Sequence, residues 1–340
     1  MITFFKRRSN TKKKIQAVIR HGIDFDAKDY ETIAKDFGIP VEAARHLVNL
    51  LKRCFHKDGH FLRKSFEANI PEFARYEKKV FEFLWHYLKE TIRRSDRVAF
   101  LNSLQLLIEH VDQRKKALRT LLEDFLDDRS KVNFSDRNAL MLANLLIRKY
   151  NKELNNDVEI TPEEVLLVVE GLDRDVLNTG REFIETNQED FFEKIRTIHN
   201  QLREVLNSDE TSTQRMPLRY LFTLEREIYI FLSLVGGGTA LSVIRSAVKE
   251  YGDSESEIYF LKKSMDHLQT LLQILRVVVR GLGRIGGRKE LPLLESVKKH
   301  QEWLLGLGEG SSHKELVMRI IGWVDTSMEK ISIREKRNVS

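Results

Sequence analysis

Apolar side chains return at intervals of three, four and seven residues through most of this 340-residue chain, the spacing that gathers them on one face of an α-helix. Phe81, Leu84, Trp85, Leu88 and Ile92 make one stripe, and Leu104, Leu107, Ile108 and Val111 the next. Leu118, Leu121, Leu122, Phe125 and Leu126 follow, then Ala143, Leu146, Ile147 and Tyr150, then Ile195, Ile198, Leu202, Val205 and Leu206. No stretch of similar length alternates apolar and polar residues with period two. Glycine is absent between Gly59 and Gly171, and hairpin-rich β architectures depend on glycine turns. The expected fold class is all-α, built of antiparallel helical hairpins.

Punctuation supports this reading. Pro40, Pro71, Pro162, Pro217 and Pro292 each stand at or near the start of a helix-like run, where a fixed φ helps and a missing N–H costs little. Ser135-Asp136 and Thr161-Pro162-Glu163-Glu164 read as helix starts, the second as a capping box. Three regions are expected: residues 1–70, a basic arm with short helices; 71–207, helical hairpins; and 217–333, a last helical unit. Asn207 to Gln214 reads as a linker or exposed loop, and Arg334 to Ser340 as a frayed tail.

In the last unit, Leu234-Val235-Gly236-Gly237-Gly238-Thr239-Ala240-Leu241 and Leu282-Gly283-Arg284-Ile285-Gly286-Gly287 each read as a helix end, a glycine turn and a second helix. Glycine relieves the strain of positive φ at a helix end and lets helices approach closely. These segments resemble HEAT repeats, specifically the short type with a Leu-Gly-x-Ile-Gly core. The resemblance covers the C-terminal third. It implies an α-solenoid, whose stacked hairpins bury a continuous core and expose a long surface that binds other macromolecules. The segment Leu271 to Val279 is apolar on most sides, as a central packed helix should be.

With 41% hydrophobic and 32% charged residues, the chain is too apolar for disorder and too charged for a membrane bundle. The long uncharged run from Ile228 to Ile244 has three glycines at its centre and reads as a buried helical pair. The N-terminus lacks the apolar stretch of a secretory signal. A single cysteine, Cys54, excludes an internal disulfide framework and suits a reducing compartment, so a cytoplasmic location is expected. The net charge of +6 does not by itself imply nucleic acid.

Four features are candidates for function. Residues 29–55 resemble a helix-turn-helix: Ala34 lets the helices touch, Gly38 turns, and Phe37, Ile39, Ala44 and Leu47 fill a small core. Its second helix would present Val41, Glu42, Arg45, His46 and Asn49. Lys6, Arg7, Arg8, Lys12, Lys13, Lys14 and Arg20 form a basic arm, either solvated or set against phosphates or an anionic membrane surface. With the arm, Arg45, His46 and Asn49 are the candidate nucleic-acid contacts. Arg276, Arg280 and Arg284, spaced by four, and Arg288 beyond the turn form an arginine ladder. Its guanidinium forks suit carboxylate or phosphate, whether inside the fold or on an anionic partner.

Cys54, His56 and His60 have zinc-ligand chemistry but lack a nearby fourth ligand, so no metal is expected. Gly281-x-Gly283-x-x-Gly286 matches the dinucleotide fingerprint in letters but follows a helix, which removes its physical meaning. No phosphate loop, nucleophile elbow or H-E-x-x-H is present, and no cofactor or small-molecule substrate is inferred. The expectation is a non-catalytic helical-repeat adaptor that binds a protein partner. A nucleic-acid-binding regulator and a peripheral membrane-surface protein stand as alternatives.

Overall fold

The computed structural model describes residues 26–76, 78–89, 92–93, 95–110, 113–147, 172–207, 217–252, 265–307 and 311–339. Among them are fifteen α-helices and no strand. The chain is all-α. It forms two compact units, Met1–Phe125 with Phe134–Leu146, and Leu126–Asn133 with Ile147–Ser340.

The first unit contains α1 (Ala27–Phe37), α2 (Val41–Arg53), α3 (Arg63–Ala68), α4 (Ile70–Ala74), α5 (Lys78–Leu88), α6 (Arg97–His110), α7 (Arg114–Leu126, less its last residue) and α8 (Asp136–Leu146). Ile70 and Pro71 lie within α4, so the division expected between residues 70 and 71 falls inside a helix. The apolar stripes do what their period requires. Phe81, Leu84, Trp85 and Leu88 of α5, Leu104, Leu107 and Ile108 of α6, and Leu118, Leu121, Leu122 and Phe125 of α7 are all buried. α1 buries Tyr30, Ile33, Ala34 and Phe37, and it packs on α2. An Asp26–Asp29 capping box starts α1, and Gly38 ends it at φ 59°. Only glycine adopts that left-handed conformation without penalty.

The second unit contains α9 (Arg174–Thr186), α10 (Gln188–Asn207), α11 (Leu218–Val235), α12 (Gly238–Tyr251), α13 (Met265–Ile285), a short 3-10 turn (Arg288–Glu290), α14 (Leu291–Leu307) and α15 (Ser311–Val339). Pro217 stands at the N-cap of α11 and Pro292 in the first turn of α14. The heaviest packing joins α13 to α15, then α11 to α13 and α14 to α15, then α12 to α13, and α10 packs on α11 over a smaller area.

Contact pairs give the directions. Ser233 and Gly236 of the α11 end approach Gly281 and Ile285 of α13 in the same order, so these helices run parallel. Val279 meets Ser327, and Gly283 to Gly286 meet Arg334, so α13 and α15 are parallel too. Ile244 lies at Gly281, whereas Gly252 at the end of α12 lies at Leu275, so α12 runs antiparallel to α13. Three antiparallel hairpins therefore begin at Gln188, Gly238 and Leu291, with α11, α13 and α15 side by side in one layer.

This arrangement changes the meaning of the two glycine turns. On sequence they read as bends within a hairpin. In the structure Gly236–Gly237 and Gly286–Gly287 connect one hairpin to the next, and α13 and α14 share little packing across the second. Gly236 and Gly237 have φ of 66° and 97°, which glycine alone adopts readily. The dinucleotide-like glycines serve close approach instead. A Cβ on Gly281 would lie 2.1 Å from Ser233 Oγ of α11, and one on Gly283 would lie 2.4 Å from Ser327 Cβ of α15.

The expected frayed tail is helix. α15 runs to Val339, because Arg334 docks on the end of α13 and Ile331 is fully buried. The proposed start at Thr161-Pro162, Tyr150, Val111 and the greater part of the Asn207 to Gln214 linker lie outside the described residues.

Candidate functional site

One side of α13, the helix that packs on α11, α12 and α15, carries a row of polar residues. Steps of four, three, four and four along a helix keep residues on one side, and on this side stand Gln269, Gln273, Arg276, Arg280 and Arg284. The arginine ladder therefore does lie in a row, but its members differ. Arg280 is only 8% exposed and lies flat on the Trp323 ring of α15, 3.8 Å from its centroid. Arg276 lies 5.9 Å from the same ring. Both are engaged within the fold, and cation–π stacking of this kind stabilises by about 1 kcal/mol or more when desolvated. Arg288 is exposed on the 3-10 turn, beside exposed Lys289.

Arg284 is different. It is half-buried, its Nη1 is closed off from solvent and makes no hydrogen bond, and burial alone lowers its pKa. An arginine near a helix C-terminus ordinarily turns to the last carbonyls. Here Arg334 has taken them: its Nη2 donates to Gly283 O at 3.0 Å and Gly286 O at 2.6 Å, and its Nη1 donates to Arg284 O. The nearby Glu290 carboxylate accepts from Gly287 N at 2.7 Å and pairs with Arg245.

The first glycine turn is clamped in the same manner, from α9. Arg181 Nε donates to Val235 O at 2.9 Å, while Glu185 accepts from Thr239 N at 3.1 Å and from Thr239 Oγ1 at 2.6 Å. A cation meets the carbonyl end of α11 and an anion the amide end of α12, as the helix dipoles favour. The Thr239 hydroxyl and amide hold the Glu185 carboxyl below its ordinary pKa.

A buried ionic cluster joins the first two hairpins. His199 of α10 donates from Nδ1 to Glu225 Oε1 at 2.8 Å and from Nε2 to Glu250 Oε1 at 2.6 Å. Glu225 has no exposed surface, and it also accepts from Tyr229 Oη at 3.3 Å and from the Tyr251 hydroxyl. Arg203 pairs with Glu250. Burial would lower the imidazole pKa, but the two carboxylates outweigh it and raise it to about 9. His199 is thus a cation wedged between two anions, with both ring nitrogens committed. Sequence reading missed this cluster, because a histidine on α10 and glutamates on α11 and α12 are far apart in the chain and sit amid other charged residues. The signal available was Glu225 within the apolar α11 face.

In the first unit, the helix-turn-helix-like segment is a true helical pair. Glu42, Arg45, His46 and Asn49 are exposed on α2, whereas Val41 and Ile39 are half-buried. Ile39 thus sits at the edge of the small core, which Val48, Leu50 and Leu51 complete. Arg45 already pairs with Glu42 at 3.6 Å and covers the Tyr30 ring at 5.3 Å. His46 lies 3.6 Å from Glu72 and against Tyr76. Lys12, Lys13 and Lys14 lie outside the described residues.

Cys54 does not face His56 and His60. Its thiol is fully buried, donates to Leu50 O at 3.2 Å, and is pushed up to about 12 by burial. His56 pairs with Asp58 at 2.8 Å, and His60 with Asp96 at 3.2 Å and Arg93 at 2.8 Å. Among the described residues no group of three or more His, Cys, Asp or Glu side chains could hold a metal ion, and no helix is long and apolar enough to cross a membrane. No protein-family model, no curated protein and no solved structure matches this chain.

Proposed function

We propose that this chain is a non-catalytic helical-repeat adaptor that holds a protein partner on its second unit. The observation that carries this reading is the three hairpins beginning at Gln188, Gly238 and Leu291, with α11, α13 and α15 side by side. Stacked hairpins of the HEAT-like kind bury one another's apolar faces and leave an extended outer surface. The ionic groups that bridge helices support the same reading. His199, Glu225, Arg181, Glu185, Arg334 and Glu290 each tie one helix to another.

The test is reconstitution. A partner recovered with the full chain is purified, mixed with it at low micromolar concentration, and followed by analytical ultracentrifugation. A discrete complex that survives moderate salt is the expected result. Failure of every recovered candidate to form one in isolation would remove the proposal.

The α1–α2 pair, with its left-handed Gly38 turn, favours the nucleic-acid reading as the second choice. Retention on heparin that falls steeply with salt and disappears on deletion of residues 1–56 would favour it instead. Co-sedimentation with anionic vesicles, lost on the same deletion, would favour the membrane-surface reading.

A further inference from the structure

Arg284 presents a problem that the fold does not solve. A partly buried guanidinium needs a counter-charge or hydrogen-bond acceptors, because its hydration has been removed. Its Nη1 makes no hydrogen bond. The carbonyls at its own helix end belong to Arg334, and the Glu290 carboxylate belongs to Gly287 N and Arg245. Arg280, one turn back, lies on Trp323. Exposed Arg288 and Lys289 follow in the turn after α13; of the acids at that turn, Glu290 pairs with Arg245 and Glu335 lies at Gly287.

We infer that Arg284 anchors a docking site for an acidic segment of a protein partner, receiving an aspartate or glutamate carboxylate on the side of its partly buried guanidinium away from Nη1, with Arg288 and Lys289 holding further acidic residues at the rim. This rests on the protein-partner reading above and specifies its chemistry. A carboxylate suits the site because an arginine fork takes one in a planar, two-bond arrangement. A nucleic-acid backbone suits it less well. Phosphate binding draws on many exposed cations along a track, and the row is interrupted where Arg280 is buried against Trp323.

The test uses the full chain and a fluorescein-labelled peptide of alternating glutamate and glycine, read by fluorescence anisotropy at low salt. Arg284→Gln should weaken binding at least about tenfold, a typical loss for one charge-assisted pair, and Arg284→Lys should restore little of it. Arg196→Gln removes an exposed charge on α10 and should change binding less than twofold. Thermal unfolding of Arg284→Gln without peptide should be no lower than wild type, since no partner inside the chain is lost.

Equal binding by wild type and Arg284→Gln, an equal loss with Arg196→Gln, or a clear fall in stability of Arg284→Gln would each overturn the inference. Tighter binding of a labelled single-stranded DNA through Arg284 would do so as well. If the peptide fails to bind while a reconstituted protein complex persists, this inference falls and the adaptor reading stands. If neither forms, both fall.

Discussion

His199 shows how a single residue couples hairpins to pH. Its folded pKa of about 9 lies above the ordinary 6.5, so the folded chain holds the proton more tightly than the unfolded one. The stabilisation is fully present below pH 6.5 and is lost as pH rises through 9. The shift corresponds to roughly 3 kcal/mol at most. Urea unfolding of wild type should weaken between pH 7 and pH 10, and His199→Gln should remove most of that slope while lowering stability at pH 7. An unchanged slope would show that the cluster is not protonated as described. Cys54 makes a simpler case. A thiol pushed up to about 12 and fully buried presents almost no thiolate at pH 8. Ellman's reagent should react with it only on the timescale of unfolding, and fast labelling of the native chain would contradict its placement.

At the scale of elements, α13 is held by what its glycines omit. Gly281 lets it reach α11, and Gly283 lets it reach α15. Gly281→Ala would place a methyl 2.1 Å from Ser233 Oγ and 3.1 Å from Ser233 Cβ. Overpacking of this kind costs about 1–3 kcal/mol. Ser233→Ala removes the nearer atom, so the double variant should recover a good part of the loss in a denaturant titration. Additive losses would mean that the two helices do not meet there. The same pair of glycines explains why a dinucleotide-like string occurs in a helix. Helical period was legible in the described helices, and it placed Phe81, Leu84, Trp85 and Leu88, and the apolar residues between Leu271 and Val279, in the core. The role of the glycine turns was not. A helix end followed by glycine looks alike whether the next helix folds back or begins a new hairpin, and only the packing of α14 on α15 separates the cases.

At the scale of the whole molecule, the chain order and the packing order differ. Residues Leu126–Asn133 belong to the second unit although residues on both sides belong to the first. Lys194 explains the assignment. Its ammonium has no exposed surface and donates to Asp128 O at 2.9 Å and Lys131 O at 2.6 Å. Arg129 pairs with Asp190, and Tyr220 Oη donates to Asn133 O at 2.7 Å. Lys194→Met keeps the volume but strands those carbonyls, at a cost of about 1–3 kcal/mol. Hydrogen exchange should accelerate in residues 128–133 in that variant. Protection equal to wild type would show that other contacts hold the segment.

By itself, the sequence determined that this protein is all-α, where most helices begin, and which faces they bury. Those properties follow from local periodicity and capping, which need only neighbours within one or two turns. Tertiary structure decided which helices pair, that His199 lies between Glu225 and Glu250, and that Arg280 is occupied while Arg284 is not. These depend on charges and carbonyls brought together from helices far apart in the chain, where the energy of each contact is set by burial that no local pattern encodes.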